Sequence, residues 1–144
     1  MLRRWRKFRA LPPGEQALAL EAAAWLALAS PLLLLLPFRH VARWLGDLDK
    51  ETEVGGDPVL SRAVGRAVGR AARHLPWHPM CLPQALAARA MLWRRGIPST
   101  LYFGVRLEGA ERVMRAHAWV TTGVTGVVGV PAAGEYTVLA RFFR

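Results

Sequence analysis

Residues 81–107 read CLPQALAARAMLWRRGIPSTLYFGVRL, and the backbone preference changes from helix to strand within this stretch. Apolar residues recur at helical spacing up to Arg95, where a glycine supplies a left-handed cap and Pro98 prevents continuation. From Ser99 onward the residues are β-branched and aromatic, as is typical of strands. The stretch therefore predicts a helix over 82–95 that is followed directly by a strand.

Three further strand-like segments follow that first strand and are separated by short turns. They are AHAWV (116–120), VTGVVGV (124–130) and YTVLARFF (136–143), with turns at EGAE, TTG and PAAG. Short turns join antiparallel neighbours. Helices first and a small antiparallel sheet second make an α+β domain.

The N-terminal half of the chain is predicted to be helical. The pattern favours one helix over about 15–29 and a second that continues to about Leu45. Ser30 is expected to be the N-cap of the second helix, with Pro31 in the first position, where a proline loses no hydrogen bond. Pro37 is expected to kink it. We therefore expect two short helices and not one long helix.

A basic stripe marks the next predicted helix, which covers residues 61–75. Arg62, Arg66 and Arg70 recur every four residues and share one face, while alanine, valine and leucine side chains occupy another. The preceding segment, 47–58, holds five of the ten acidic residues and a Gly-Gly pair, which predicts a loop. The arginine stripe is either a solvated face or part of a docking surface.

The chain carries 20 lysine and arginine residues against 10 aspartate and glutamate residues, a formal net charge of +10. Five of the basic residues lie in the first ten positions, and such a segment is either a solvated tail or a contact to an anionic partner. No recognition helix, zinc-finger spacing or aromatic RNA-binding signature accompanies it, so we expect no nucleic acid partner. The single cysteine excludes an internal disulfide and a multi-cysteine metal site, and we expect no metal or cofactor.

An apolar run over 17–38 raises the question of a membrane span. Glu21 near its start, Pro31 in its middle and Pro37 close behind argue against a span, and the run begins too late for a secretory signal. We therefore expect a cytoplasmic protein. A peripheral membrane contact through residues 32–36 is the alternative use of the run.

Cys81 lies between two prolines at the expected start of a helix. A helix start leaves amide N–H groups unpaired and carries the positive end of the macrodipole, which favours a thiolate. We expect these N–H groups, at Cys81 and Leu82, to stabilise an oxyanion, with Trp77 close by to contact the substrate. The alternative is that Cys81 is a small buried apolar residue, since free cysteines are often buried.

A nucleophilic cysteine needs a base, and the chain has four histidines, at positions 40, 74, 78 and 117. His117 lies at the start of the strand AHAWV, after the cysteine helix and one intervening strand. A cysteine on a helix followed by a histidine on a strand is the order found in papain-like and transglutaminase-like folds. We therefore assign Cys81 as the nucleophile and His117 as the base, the alternative for His117 being a structural residue.

Residues 78–106, HPMCLPQALAARAMLWRRGIPSTLYFGVR, followed by AHAWV, resemble the leader peptidase of lasso-peptide biosynthesis, the maturation B protein of the transglutaminase-like cysteine protease superfamily. The motifs CLPQAL, RRGIP, FGV and AHAWV fall in the order of that family, and LPPGEQ and LLPFRHVARWLG in the first half also resemble it. The resemblance implies one domain over 1–144 with a transglutaminase-like or papain-like core. Residues 1–75 would be the helical, partner-binding part and residues 76–144 the catalytic helix plus sheet.

The activity that the resemblance implies is removal of the N-terminal leader from a ribosomally made precursor peptide. A separate ATP-using cyclase then joins the freed core amine to an acidic side chain. In this family a small leader-binding protein is either fused ahead of the peptidase or separate, and we expect no such module ahead of the helices here. The expected partners are therefore the leader–core junction of the precursor, a separate leader-binding protein and the lasso cyclase.

The third catalytic residue departs from the pattern of the superfamily, which usually has an aspartate after the histidine. No aspartate occurs after Asp57, and Glu135, eighteen residues beyond His117, is the acidic residue offered in its place. An amide side chain or a backbone carbonyl would also orient an imidazole. Two other functions stay open: an acyl transferase that forms isopeptide bonds on the same fold, and a non-catalytic scaffold at the membrane surface.

Overall fold

The computed structural model of the chain describes residues 1–48, 54–132 and 134–144. Within them the elements are α1 (Leu2–Arg9), α2 (Pro13–Leu35), α3 (Phe38–Trp44), β1 (Asp47–Leu48), α4 (Pro58–His74), α5 (Cys81–Arg94), β2 (Thr100–Glu108), β3 (Val113–Thr122), β4 (Thr125–Val128) and β5 (Thr137–Phe143). Four of these strands, β2 to β5, follow the helices, and each neighbouring pair in the sheet is antiparallel, which confirms the predicted α+β class.

The strands form one sheet in the order β1-β5-β2-β3-β4. In the central pair, Leu101 of β2 lies opposite Val120 of β3, and Tyr102 lies opposite Trp119. Leu101 and Val120 are fully buried beneath the helices. Because successive side chains of a strand point to opposite faces, Tyr102 and Trp119 lie on the other side. The sheet therefore has a helix-covered face and an outer face.

The hydrophobic core lies between α2, α4, α5 and the covered face of the sheet. Each layer contributes side chains that are at most 8% exposed: Leu26, Val68, Leu92, Val120 and Phe142. Burying a side chain of this size stabilises the fold by about 1.5–3 kcal/mol. This shared core fixes the cysteine-bearing α5 against β3 and β4.

The prediction that two helices meet at Ser30 is wrong. α2 continues through Ser30 and Pro31, and the Ser30 hydroxyl donates a hydrogen bond to the carbonyl of Leu26, four residues earlier. A serine that bonds back in this way lies inside a helix and is not its N-cap. The break comes at Leu36, whose extended backbone is favoured by the proline that follows, and α3 begins after Pro37.

The start of α4 and the end of α5 follow recognisable sequence signals. The Asp57 carboxylate caps α4 by accepting the amide N–H of Val59 at 2.9 Å, and Pro58 occupies the first turn. α5 ends just before Gly96, whose φ of +68° confirms the predicted left-handed cap. The predicted loop over 47–58 begins with β1, which pairs with β5, and its residues 49–53 lie outside the described part of the chain.

α2 is long and apolar enough to cross a membrane by length and composition alone, with a mean hydropathy of 1.9. However, Ala22 and Leu26 on one face are completely buried in the core with α4 and α5. The core helix of a soluble domain passes the same test, so a single helix of this kind is weak evidence for a span. At its end Leu34 and Leu35 are 87% and 80% exposed, so the segment 32–36 is not wholly core.

Candidate active site

Cys81 is the first residue of α5, and its side chain is partly buried against the hydrophobic core. The N-cap residue, Met80, makes no side-chain capping bond. The amides of Cys81 and Leu82 donate no hydrogen bond to any described residue, and Pro83 has no N–H. The sulfur therefore lies beside two open donors at the positive end of a helix, an arrangement that stabilises a thiolate and an oxyanion.

The segment before Cys81 is held by a tight turn and by a side chain from α5 itself. The amide of His78 donates to the carbonyl of Leu75 at 3.2 Å, and His78 has φ of +45°, a left-handed value that is uncommon outside glycine. The Gln84 side chain donates from Nε2 to the carbonyl of Pro79 at 2.8 Å. These bonds fix the direction in which the chain enters the helix and so the position of the thiol.

Trp77 and Leu82, the other two residues expected to face the substrate, lie on either side of this turn. The Trp77 indole N–H donates to the Ser30 hydroxyl of α2 at 3.0 Å, and the side chain is 47% exposed. Because that N–H is already bonded, Trp77 links the turn to α2 in the resting structure. Leu82 is partly buried against the core. A role for either side chain toward the substrate stays a prediction.

His117 lies in β3, opposite Gly104 of β2. Its ring centroid is 5.9 Å from that of Trp119 and 5.2 Å from that of Tyr136. Its Nε2 lies 2.6 Å from the carbonyl oxygen of Gly129. Because a carbonyl oxygen only accepts hydrogen bonds, Nε2 carries a hydrogen in this arrangement, and Nδ1 is left to accept a proton.

An aromatic cluster on the outer face of the sheet supports the imidazole. Trp119 stacks on Tyr102 at 5.4 Å and is only 7% exposed. A Cβ atom on Gly104 would lie 2.8 Å from the Trp119 ring and 3.0 Å from the Cβ of Tyr136, so only glycine leaves room for both side chains. This cluster was not predicted from the sequence. Its signal is the alternation of aromatic residues, glycine and histidine at every second position of two paired strands.

The structure does not bring Cys81 and His117 into hydrogen-bond contact. Strand alternation places His117 with Trp119 on the outer face, whereas Ala118 and Val120 face the helices, the side on which Cys81 packs. The Cys81 sulfur has no hydrogen-bond partner in the described ranges. The structure therefore fixes where each residue lies, and their roles as nucleophile and base stay predictions.

Glu135 has partners other than His117. Its carboxylate forms an ion pair with Arg106 and accepts the amide N–H of Ala132 at 3.1 Å. The acceptor that orients His117 is the Gly129 carbonyl, one of the alternatives that the sequence left open. The role of Glu135 as the third catalytic residue stays a prediction that these contacts do not support.

An arginine-lined cleft of about 560 Å³ opens between α4 and β4. It is lined by four arginines of α4, by Gln84 and by the segment 126–129; the arginines are Arg62, Arg66, Arg70 and Arg73. Arg70 lies 3.7 Å from Glu15, and the other three form no ion pair with a described residue. Through Gln84 the cleft reaches the first turn after Cys81, and through Gly129 it reaches the acceptor of His117. The cleft therefore contacts the side chain that fixes the turn before Cys81 and the backbone segment that holds His117.

A family model described as the transglutaminase-like superfamily matches residues 17–141. The matched range contains Cys81, His117 and Glu135 and the whole lining of the arginine cleft. No curated protein and no solved structure matches the chain significantly.

Proposed function

Since the chain belongs to the transglutaminase-like superfamily, we propose that it is a cysteine peptidase that removes the leader from a ribosomally synthesised lasso-peptide precursor. The observation that carries the proposal is the position of the only thiol of the chain, at the first residue of α5 beside two amides that bond to no described residue. A thiol in such surroundings is suited to attack a carbonyl carbon. The resemblance of the motifs around Cys81 and His117 to lasso-peptide leader peptidases supports a leader–core junction as the substrate.

In the proposed reaction the Cys81 thiolate attacks the carbonyl carbon of the last leader residue. The amides of Cys81 and Leu82 donate to the oxyanion that forms. His117 gives the proton it has taken from the thiol to the amine of the first core residue, which leaves as the C–N bond breaks. Water then hydrolyses the thioester, which restores the thiol and releases the leader as a carboxylic acid. The core keeps a free amine, as a cyclase requires.

The two catalytic groups must approach each other during this reaction, because a nucleophile and its base act at about 3 Å. We assign the approach to the β4 side of the site. The segment 126–129 lines the arginine cleft and also holds His117 through the Gly129 carbonyl. A substrate in the cleft contacts this segment, but shifting its bond to His117 is not enough, because His117 and Cys81 lie on opposite faces of the sheet; the approach also requires β3 to turn the imidazole toward the start of α5. The geometry without substrate is then the resting one.

The arginine cleft is the surface that we assign to the leader-binding partner with its precursor. Arg62, Arg66 and Arg73 have no ion-pair partner among the described residues, so the cleft attracts acidic groups. The exposed Leu34 and Leu35 of α2 add an apolar contact for the same partner. Docking of the partner tethers the junction beside Cys81 and raises its effective concentration.

The proposal is tested by incubating the chain with the precursor and the leader-binding protein encoded beside it, followed by mass spectrometry. We expect free leader and core, with cleavage about 100-fold faster when the partner is present. Changing Arg62, Arg66 and Arg70 together to Glu should remove the acceleration. The matched control is the same charge reversal at three arginines of the exposed α1: Arg3, Arg4 and Arg6. Efficient cleavage without the partner would contradict the tethering.

The same measurement separates the peptidase from the acyl transferase that shares its chemistry. Both reactions pass through a thioester, and they differ in whether water or an amine attacks it. A transferase would yield a cross-linked product that retains the acyl part, whereas the peptidase yields two free fragments. A non-catalytic scaffold would yield neither product and would leave the precursor intact.

A further inference from the structure

A second cavity lies between α2, α3 and α5 and has a volume of about 480 Å³, within the usual range of small-molecule sites. Three tryptophans form much of its wall: Trp25, Trp44 and Trp93. The α5 residues in this lining run from Leu86 to Trp93, whereas Cys81 lies at the opposite end of the helix. The cavity is therefore separate from the candidate active site and from the arginine cleft.

Arg89 is buried in the lining of this cavity and is only 6% exposed. Its Nη1 donates to the carbonyl of Leu45, but its buried Nη2 has no hydrogen-bond partner among the described residues. An unpaired donor on a buried charged group is strongly unfavourable. Burial, with a contribution from the charge of Arg144, lowers the pKa of Arg89 to about 10, so the group is still charged at neutral pH.

Arg144 brings a second guanidinium group into the same lining. It donates to the carbonyl of Trp44, and its Cζ lies 5.5 Å from the centroid of the Trp93 ring. Among the described residues that line the cavity there is no aspartate or glutamate. The described lining therefore combines apolar walls with two guanidinium groups and no acidic side chain.

We propose that this cavity binds an acyl chain that ends in an anionic head group. The head would lie beside Arg144, and a rotation of the buried Arg89 guanidinium toward the cavity would let the head accept from Nη2, which gives the unpaired donor an acceptor and relieves the repulsion between the two cations. The acyl chain would lie along the tryptophan side chains that form the walls. Leu28, Trp44 and Trp93 are each 61% exposed, so the cavity has an apolar mouth through which such a chain enters.

Calorimetric titration of the full chain with decanoate tests the proposal. We expect saturable binding at one site, with no comparable binding of acetate, which lacks the chain, or of decyltrimethylammonium, which reverses the charge. Arg89→Met keeps the apolar bulk of the side chain and removes its charge, and should weaken decanoate binding about tenfold or more. Arg94→Met, on the same helix but outside the lining, should leave it unchanged.

A second variant tests the proposal even if Arg89→Met does not fold. Ala90→Leu narrows the cavity without removing either arginine and should also weaken binding. Sedimentation with phosphatidylglycerol vesicles identifies the source of the acyl chain. Arg89-dependent binding to vesicles indicates a membrane lipid, and Arg89-dependent binding of decanoate alone indicates a free acid. No decanoate binding below about 1 mM, or equal binding of decanoate and decyltrimethylammonium, would overturn the proposal.

Discussion

The Nε2 atom of His117 donates a hydrogen bond of 2.6 Å to the carbonyl oxygen of Gly129. Gly129 has φ of +70°, and an added Cβ atom would lie 3.1 Å from the carbonyl oxygen of Ala118 and 3.4 Å from Nε2 of His117. Only a glycine therefore lets the main chain approach the imidazole in this way. The orientation of the proposed base depends on the backbone after β4.

Gly129→Ala is expected to lower kcat/KM for leader removal at least about tenfold, because the new methyl group displaces the acceptor of the imidazole proton. Gly134→Ala is the matched control, since Gly134 has φ of +76° and no atom within 4 Å of its added Cβ. Both variants carry about 1 kcal/mol of backbone strain. Equal losses of activity in the two variants would show that strain alone is responsible.

Glu135→Gln is expected to lower kcat/KM less than about tenfold, because the carboxylate pairs with Arg106 and not with the imidazole. His117→Ala provides the comparison and should lose several orders of magnitude, as loss of a triad member does. Steady-state kinetics on the precursor, with the leader-binding protein present, measure both variants. A loss in Glu135→Gln as large as that in His117→Ala would restore Glu135 as the third catalytic residue.

Gly65→Ala is expected to lower the free energy of unfolding by about 2 kcal/mol, because its Cβ would lie 1.9 Å from the carbonyl oxygen of Val127 and force α4 away from β4. Gly69→Ala, one turn later, would meet only the end of the Arg73 side chain at 3.5 Å. It should stabilise the helix by up to about 1 kcal/mol. Urea unfolding measures both changes, and destabilisation by both variants alike would contradict the close contact of α4 with β4.

Glu21 links α2 to the end of α5 through Arg94 and Arg95, with Arg95 bonded to both carboxylate oxygens at 3.0 and 2.6 Å. The hydrogen bond from Arg95 lowers the pKa of Glu21 below its usual 4.5. A depressed pKa in the folded state stabilises the protein above the unfolded pKa, and this contribution is lost as the pH falls below about 4.5.

Glu21→Gln should therefore lower stability by about 1 kcal/mol at neutral pH and make the stability less sensitive to pH between about 5 and 3. Glu15→Gln is the control, because Glu15 lies 3.7 Å from Arg70 in a more exposed pair. Urea unfolding at a series of pH values measures both. A slope in Glu21→Gln as steep as in the wild type below pH 4.5 would contradict the assigned role.

The C-terminal half of the fold follows from local sequence signals. Gly96 and Pro98 end α5 where the periodicity predicts, and the β-branched segments after Ser99 form the strands. The boundary within the N-terminal helices was not predictable from a proline at residue 31 alone. Packing of α2 on α4 and α5 outweighs the hydrogen bond that this proline removes, and the residues that decide the matter lie far apart in the chain.

The positions of the candidate residues in the fold were predictable from the sequence, but their surroundings were not. Cys81 at a helix start and His117 on a strand are readable from local patterns. The Gly129 carbonyl that holds His117 was not, because a backbone acceptor leaves no side-chain signal. The face to which His117 points depends on the register of β3 with β2, which is set by packing across the whole sheet.

The central claim, that Cys81 removes the leader with His117 as its base, is tested most directly by the single-turnover rate of leader release in four proteins: wild type, Cys81→Ala, His117→Ala and His78→Ala. The precursor and its leader-binding protein are present in each measurement. We expect no release by Cys81→Ala and a rate lower by several orders of magnitude in His117→Ala. His78→Ala is the control, because the His78 side chain is exposed, and its rate should be nearly unchanged. Release of the leader by Cys81→Ala at the wild-type rate would contradict the account.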